Sequence, residues 1–249
     1  MTTLDDKLRE ARSRLAFALD YATLVEARSG AAPLAGTVGV LKVGLELFVR
    51  EGAPAARIGA DYGASVFLDL KLHDIPETVE RAVASACSFG VRYLTLHASG
   101  GPKMLERAAR RAEKDDPNLV LLAVTVLTSL DGADLAAVGV RDEPAVQALR
   151  LARVALAAGV RGFVCSASEV ETLRRELGAS VTLVTPGIRP AGGDAGDQKR
   201  VATPGAAIRA GSSLLVVGRP IRDDPDPGQA ARRIVDEIAQ AQRLASAPA

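Results

Sequence analysis

The chain of 249 residues carries 31 lysines and arginines against 30 aspartates and glutamates, so its net charge is +1. This balance, with no tryptophan, three tyrosines and five phenylalanines, argues against a nucleic-acid-binding surface. The hydrophobic content of 48% is ample for a sizeable core. No apolar stretch is long enough to span a bilayer, and the charged N-terminus has no signal region, so we expect a soluble cytoplasmic protein.

Eight short runs rich in leucine and β-branched residues recur along the chain. Their nearly continuous apolar character predicts parallel strands that are covered on both faces. The segments between them have the apolar spacing of helices, and they end near glycine, as helices often do. The predicted strands lie at 15–20, 38–44, 65–71, 93–98, 119–127, 162–167, 181–188 and 213–220.

Eight strands alternating with helices, at about one unit per 30 residues, predict a closed (β/α)₈ TIM barrel with its active site at the C-terminal ends of the strands. We expect one domain over residues 1–249, with an N-terminal helix at 1–13 and a disordered tail at 245–249. The long gap between the fifth and sixth strands predicts a short helix near DLAAVG and then a long one. A doubly wound open sheet is the alternative, but no G-x-G-x-x-G fingerprint accompanies it.

Polar residues interrupt the apolar runs mostly at the predicted strand ends. In a β/α barrel these ends, with the loops that follow them, form the active-site face. The pattern therefore predicts a catalytic pocket there. The residues concerned are Asp20, Lys42, Asp69, Lys71, His97, Thr128, Gly218 and Arg219.

The segment FLDLKLHDIPETV, residues 67–79, ends a buried strand with alternating charges. Residues two apart on a strand point to the same side, so Asp69 and Lys71 should share a direction, with Lys42 on the neighbouring strand facing them. A lysine between carboxylates stays protonated, which suits a general acid rather than a Schiff base. The alternative is an ordinary ion pair. Asp74 also matches a helix N-cap, with Pro76 in the first turn and Glu77 completing a capping box.

The C-terminal third suggests a phosphate site. Arg189 follows the seventh strand, a glycine-rich loop leads to Gln198, and Gly218 with Arg219 ends the eighth strand. Loops after the seventh and eighth strands form the usual phosphate site of these barrels, and an arginine fork suits a phosphate dianion. We interpret the glycine-rich loop as a closing lid, and a plain flexible loop is the alternative.

The residues give little support for a resident metal or an organic cofactor. The two histidines, His73 and His97, and the two separated cysteines, Cys87 and Cys165, cannot build a typical zinc site. We interpret the cysteines as reduced residues of the core. Carboxylates could still bind Mg²⁺.

In order and spacing, several motifs resemble those of bacterial orotidine 5′-monophosphate decarboxylases from about residue 15 to residue 221. These motifs are LAFALD, LKVG, FLDLKLHDIPETV, TLHASGG, VTVLTS, TPGIRP, GDQKR and VVGRPI. The resemblance implies a (β/α)₈ barrel that decarboxylates orotidine monophosphate to uridine monophosphate in pyrimidine synthesis, without metal or cofactor. It also implies a homodimer with shared active sites. The family often has asparagine where this chain has Glu77.

The resemblance also implies roles for the charged segment. Lys71 would protonate C6 of the pyrimidine, Asp69 would lie beside the substrate carboxylate, and Lys42 would join Asp69 to the ribose. Asp74, with Thr78, would reach the site from the partner subunit and complete an alternating Lys42–Asp69–Lys71–Asp74 network.

Further residues would bind the substrate. Asp20 would hold a ribose hydroxyl, and Thr128 would lie near the base. The phosphate and lid contacts would come from Arg189, Gln198, Gly218 and Arg219.

Two other functions remain open at this point. The first is a Mg²⁺-dependent decarboxylase or aldolase of the same superfamily, which would use a similar acidic triplet on a sugar phosphate. The second is a non-catalytic barrel that binds a nucleotide phosphate and has no need of Lys71 between two acids.

Overall fold

A computed structural model describes residues 4–190 and 202–245, and within them the chain forms a closed eight-stranded barrel. Every neighbouring pair of strands, including the first and the eighth, is parallel. The predicted TIM barrel is therefore confirmed. The strands are β1 (Leu15–Ala18), β2 (Val40–Val43), β3 (Ser65–Leu72), β4 (Tyr93–His97), β5 (Val120–Val124), β6 (Gly162–Val164), β7 (Thr182–Thr185) and β8 (Leu214–Val217).

Helices follow the strands in the alternation that the sequence predicted. The gap between β5 and β6 contains the short helix and the long helix that were expected there, α7 and α8. The helices of the described residues are α1 (Leu4–Ser13), α2 (Leu24–Ala31), α3 (Leu45–Glu51), α4 (Ala53–Ala56), α5 (Pro76–Cys87), α6 (Pro102–Asp115), α7 (Gly132–Ala137), α8 (Pro144–Ala157), α9 (Val170–Leu177), α10 (Pro204–Arg209), α11 (Arg219–Arg222) and α12 (Pro227–Ala245).

Alternate residues of the strands divide the core into two layers. One set packs outward against the helices, for example Leu15 and Phe17 of β1. The other set forms a separate cluster inside the barrel: Ala16, Ala18, Val40, Phe67, Leu122, Val184, Leu214 and Val216. Because side chains alternate along a strand, the next inward position after Ala18 is Asp20 and the next after Phe67 is Asp69. The inner layer thus leads directly to the polar residues at the strand ends.

Helix α1 packs across the N-terminal end of the barrel. The Gly39 N–H donates to the Arg12 carbonyl oxygen over 2.9 Å, and a Cβ at Gly39 would lie only 2.6 Å from the Arg12 oxygen. Glycine is required there by this close approach of two backbones. With this end covered, ligands can reach the barrel interior from the C-terminal end.

The predicted capping box at Asp74 is wrong by one residue. Helix α5 begins at Pro76, and Ile75 is its N-cap, with φ −58° and ψ 152°. A residue that precedes proline is restricted to extended backbone, which makes Ile75 the last non-helical residue. Asp74 instead accepts a hydrogen bond of 2.6 Å from the Ile75 N–H. Glu77 pairs with Arg81 along the same helix.

Some expectations fall on residues outside the described ranges. Gln198 and most of the predicted lid lie within 191–201. The predicted tail at 245–249 also lies outside the described ranges, except for Ala245, which is the last residue of α12. Over residues 4–190 and 202–245, no helix combines the length and the apolar character needed to cross a membrane.

The two cysteines form no disulfide with each other. Cys87 and Cys165 are both free thiols.

Candidate active site

A cavity of about 260 Å³ opens at the C-terminal ends of the strands. Apolar residues of the barrel's inner layer form its floor, and polar residues from β1, β2, β3, β5, β7 and β8 form its walls. Four cations in the walls face two carboxylates, so the cavity favours an anionic ligand. The predicted site residues that line it are Asp20, Lys42, Asp69, Lys71, Thr128, Arg189, Gly218 and Arg219.

The charges on the β1–β3 side of the cavity alternate in a continuous row. The Lys42 Nζ lies 3.4 Å from Asp20 Oδ1 and 3.7 Å from Asp69 Oδ2. The Lys71 Nζ lies 2.8 Å from Asp69 Oδ1. The side chains of Lys42 and Asp69 are only 12% and 15% exposed, so the ion pair between them is poorly screened by solvent.

The Asp69 carboxylate is the centre of this row. Burial alone would raise the pKa of Asp69, but the charges of Lys42 and Lys71 and hydrogen bonds from Lys71 and Thr95 outweigh burial. The pKa of Asp69 is therefore held below its ordinary value of 3.8. Asp69 stays ionised at neutral pH, and its charge keeps the Lys71 ammonium in place.

The backbone that carries Lys71 departs from a regular strand. The register of β3 against β4 shifts between Leu68 and Leu72, and Lys71 has a φ of 51°. Simple alternation therefore does not explain why Asp69 and Lys71 face the same cavity. Both residues do line it, but the reason given by sequence spacing was incomplete, because a bulge separates them.

The opposite wall carries the arginines predicted to bind phosphate. Arg189 is half-buried after β7, where its N–H donates to the Ala202 carbonyl oxygen over 2.9 Å. Arg219 is exposed at the start of α11 and follows Gly218, the next inward position of β8. A Cβ on Gly218 would lie 3.4 Å from Asp20 Oδ2, so glycine keeps this corner of the cavity open.

Asp74 and Thr78 do not line the cavity of their own chain. Both are exposed, and Asp74 instead borders a shallow pocket that also includes His73, Ile75 and Pro76. Ile75 is 66% exposed, an unusual state for a large apolar side chain beside charged residues. No lysine or arginine of the described residues forms an ion pair with Asp74 at 4.0 Å or less. The predicted Asp74 member of the charge row is therefore absent from the single chain.

The two histidines lie together behind Lys71. The ring centroids of His73 and His97 are 5.3 Å apart. Burial, helped by the neighbouring His73 and Lys71, lowers the pKa of His97 below its ordinary value of 6.5. His97 is therefore neutral at pH 7, as expected for a structural histidine at a strand end.

Residues 4–190 and 202–245 bring together no group of three histidine, cysteine, aspartate or glutamate side chains that could hold a metal ion. Both oxygens of Asp69 already face ammonium groups, and Oδ1 also accepts from Thr95. This is an arrangement suited to orienting lysines.

A family model described as "Orotidine 5'-phosphate decarboxylase / HUMPS family" matches residues 13–234. The chain belongs to this family. The match covers all eight strands and both walls of the cavity, in agreement with the resemblance seen in the sequence.

Named relatives of the family align with most of the chain. The orotidine 5′-phosphate decarboxylase of Anaeromyxobacter sp. is 53% identical over 221 residues, which cover 89% of this chain and 96% of that protein. The orotidine 5′-phosphate decarboxylase of Frankia casuarinae is 47% identical over 94% of this chain and 90% of that protein. The crystal structure of orotidine 5′-phosphate decarboxylase from Lactobacillus acidophilus superposes with a TM-score of 0.80 at 35% identity, covering 91% of this chain and 99% of that chain.

Sequence reasoning missed one polar residue of this region, Thr95. It is fully buried in β4, and its hydroxyl contacts both Asp69 and the backbone of Lys71. The available signal was its position: Thr95 is a polar residue at an inward position of an otherwise apolar strand, two residues before His97. Such a residue needs a hydrogen-bonding partner inside the barrel.

Proposed function

We propose that this protein converts orotidine 5′-monophosphate to uridine 5′-monophosphate and CO₂, a carboxy-lyase reaction of pyrimidine biosynthesis in the cytoplasm, and that it does so without a cofactor. The observation that carries the proposal is the Lys71 ammonium, held 2.8 Å from Asp69 at the edge of a cavity with an apolar floor. Family membership and the named relatives support the same reaction.

The chemistry requires a fixed cation beside the reacting carbon. When the bond between C6 and the carboxylate breaks, CO₂ leaves and the electron pair stays on C6 in an orbital that the ring delocalises poorly. In this proposal the Lys71 ammonium stabilises that charge and then donates its proton to C6. The neutral amine then regains a proton from solvent.

The rest of the cavity would bind the parts of the substrate that do not react. Arg189 and Arg219, with the Gly218 backbone and Gln198, would hold the phosphate. Asp20 and Lys42 would hold the ribose, and Thr128 would lie near the base. Binding energy from the phosphate can offset the repulsion between Asp69 and the substrate carboxylate, because the two groups are remote from each other.

The proposal includes a homodimer in which Asp74 and Thr78 enter the partner's site. Its support is the position of Asp74, which is exposed and without a lysine partner among the described residues of its own chain, next to the exposed Ile75. In the dimer, Asp74 would become the second carboxylate beside the partner's ammonium group and extend the alternating row of charges.

The reaction is tested by following the ultraviolet absorbance of orotidine monophosphate with EDTA-treated protein. Wild type should turn over, Lys71→Ala should not, and Lys103→Ala should match wild type because Lys103 is an exposed lysine of α6. A wild type that is inactive on this substrate, and that instead requires Mg²⁺ to act on a sugar phosphate, would contradict the proposal. Tight nucleotide binding without any turnover would indicate a sensor.

Shared sites are tested separately by mixing two inactive chains. A dimer of one Lys71→Ala chain and one Asp74→Asn chain would contain one site with both residues intact, so it should regain about half of the wild-type activity. Verified mixed dimers that stay inactive would reject the shared site while leaving the reaction itself unaffected.

A further inference from the structure

The bulge in β3 presents a physical problem at Lys71. Leu68 pairs with Leu94 and Leu72 pairs with Leu96, so four steps along β3 oppose two steps along β4. Lys71 takes up the extra length with a φ of 51°, and no other non-glycine residue of the described chain has a positive φ. For a residue with a Cβ this conformation is sterically unfavourable. It persists only where the surrounding structure holds it.

Thr95 is the residue of β4 opposite this bulge. It lies between Leu94 and Leu96 and is fully buried. The Lys71 N–H donates to Thr95 Oγ1 over 2.9 Å, and the Thr95 hydroxyl donates to Asp69 Oδ1 over 2.9 Å. The directions are fixed by chemistry, because a backbone N–H can only donate and an ionised carboxylate can only accept.

These bonds form a closed circuit through both ends of Lys71. The backbone N–H of Lys71 is bound to Thr95, Thr95 is bound to Asp69, and Asp69 accepts from the Lys71 Nζ at 2.8 Å. Thr95 does not line the cavity, so its hydroxyl does not meet a ligand there. It can affect the reaction only through the two residues that it holds.

We propose that Thr95 is a positioning residue, whose buried hydroxyl clamps the Asp69 carboxylate and the Lys71 backbone so that the Lys71 ammonium points at the reacting carbon. This inference rests on the proposed function for its catalytic consequence. Small displacements of a catalytic group are costly to the rate, which gives the clamp its importance.

The clamp also contributes to the charge of the site. The hydrogen bond from Thr95 helps to lower the pKa of Asp69, in the same direction as the charges of Lys42 and Lys71.

The residue type also suits this position. The β-branched side chain of threonine packs well in a strand while its hydroxyl faces the bulge.

The test compares Thr95→Val, which keeps the shape and loses the hydroxyl, with Thr95→Ser, which keeps the hydroxyl and loses a methyl group. Thr95→Val should lower kcat by about 10- to 100-fold with little change in KM, since a buried hydrogen bond to a charged group is lost. Thr95→Ser should stay within about threefold of wild type, because it retains both bonds. The control is Thr185→Val, another fully buried strand threonine, whose hydroxyl bonds to Ser212 outside the cavity.

A purely structural role predicts a different pattern. Equal losses in Thr95→Val and Thr95→Ser, or an equal loss in Thr185→Val, would overturn the proposal. So would a folded Thr95→Val enzyme with wild-type kcat.

Hydrogen exchange at the Lys71 amide tests the clamp without any substrate. Thr95→Val should accelerate this exchange by about tenfold or more relative to Thr185→Val, because the amide loses its acceptor. If wild type does not turn over orotidine monophosphate, the proposed function fails, and the exchange rate of the Lys71 amide alone tests whether Thr95 positions Lys71. An exchange rate in Thr95→Val equal to that in wild type would reject this role of Thr95.

Discussion

Two cations at opposite ends of the barrel show how similar charges serve different purposes. Arg174 of α9 lies at the N-terminal ends of β7 and β8, where its guanidinium donates to neutral oxygens of the described residues. Lys71 lies at the C-terminal end of β3, where its ammonium contacts Asp69 and its side chain is 30% exposed to the cavity. The acceptors of Arg174 are the carbonyl oxygens of Gly178, Ala179, Val181 and Gly211 and the Ser213 hydroxyl.

The difference lies in how completely each cation is coordinated. The donors of Arg174 are engaged both by the segment that directly follows α9, at Gly178 to Val181, and by Gly211 and Ser213, which are distant in sequence. The residue therefore joins parts of the fold and has little capacity for a ligand. Lys71 has one strong partner and faces open space, so it can act on a molecule that enters. A stabilising cation and a reactive one are thus distinguished by their partners.

The largest effect that would sharpen this comparison is on activity. Lys71→Ala should lower kcat/KM by at least about 10⁴-fold, because it removes both the proton donor and the fixed charge. Its urea unfolding midpoint should change little, since the side chain is 30% exposed and Asp69 keeps Lys42 and Thr95 as partners. An active Lys71→Ala enzyme, or one that is mostly unfolded, would break the comparison.

The reverse outcome is expected for Arg174→Ala. The loss of its donors leaves the part-buried carbonyl groups of Val181 and Gly211 without these partners, so the free energy of unfolding should fall by about 2 kcal/mol. Activity per folded molecule at 25 °C should remain near that of wild type. Arg175→Ala is the matched control: Arg175 is 65% exposed, and its removal should change stability by about 0.5 kcal/mol or less.

A smaller effect, on stability, distinguishes the backbone conformation of Lys71 from the role of its side chain. Lys71→Gly and Lys71→Ala both lack the ammonium group, but glycine adopts a φ of 51° without the steric cost. Lys71→Gly should therefore be more stable than Lys71→Ala by about 1 kcal/mol, a difference of about 2–4 °C in Tm. Equal melting temperatures would mean that the bulge relaxes once the lysine is removed.

The smallest expected effect concerns pH. The pKa of His97 is lowered in the folded protein, so the unfolded chain takes up its proton first as the pH falls through 6.5. Stability should therefore decrease as the pH drops below this value, down to the folded pKa. The lowered pKa of Asp69 acts in the same direction, but only below 3.8. His97→Asn should reduce the slope of stability against pH in the upper window, as measured by urea unfolding. An unchanged slope would contradict this cause.

Much of the architecture could be predicted because it depends on local patterns. Seven strands lie within their predicted ranges and β3 ends one residue beyond its range, since a strand buried on both faces is a short apolar run that can be recognised without its neighbours. The period of two then places Asp20, Lys42 and Asp69 at inward positions above the core. Asp69 is an example: Phe67 points into the barrel, so the residue two positions later on the same strand also faces the cavity.

What the tertiary structure decided depends on partners that are distant in the sequence. The helix start at Pro76 and the position of Asp74 outside its own cavity required the actual path of the chain. The left-handed backbone of Lys71 and the circuit through Thr95 arise because β3 and β4 pair out of step. The circuit joins residues that are 24 and 26 positions apart in the sequence. The sequence by itself determined that Asp20, Lys42 and Asp69 meet at the barrel's C-terminal end, because alternation along a strand is local. Only the packed barrel determined how Lys71 is held, because a strand's register and strain depend on the strand beside it.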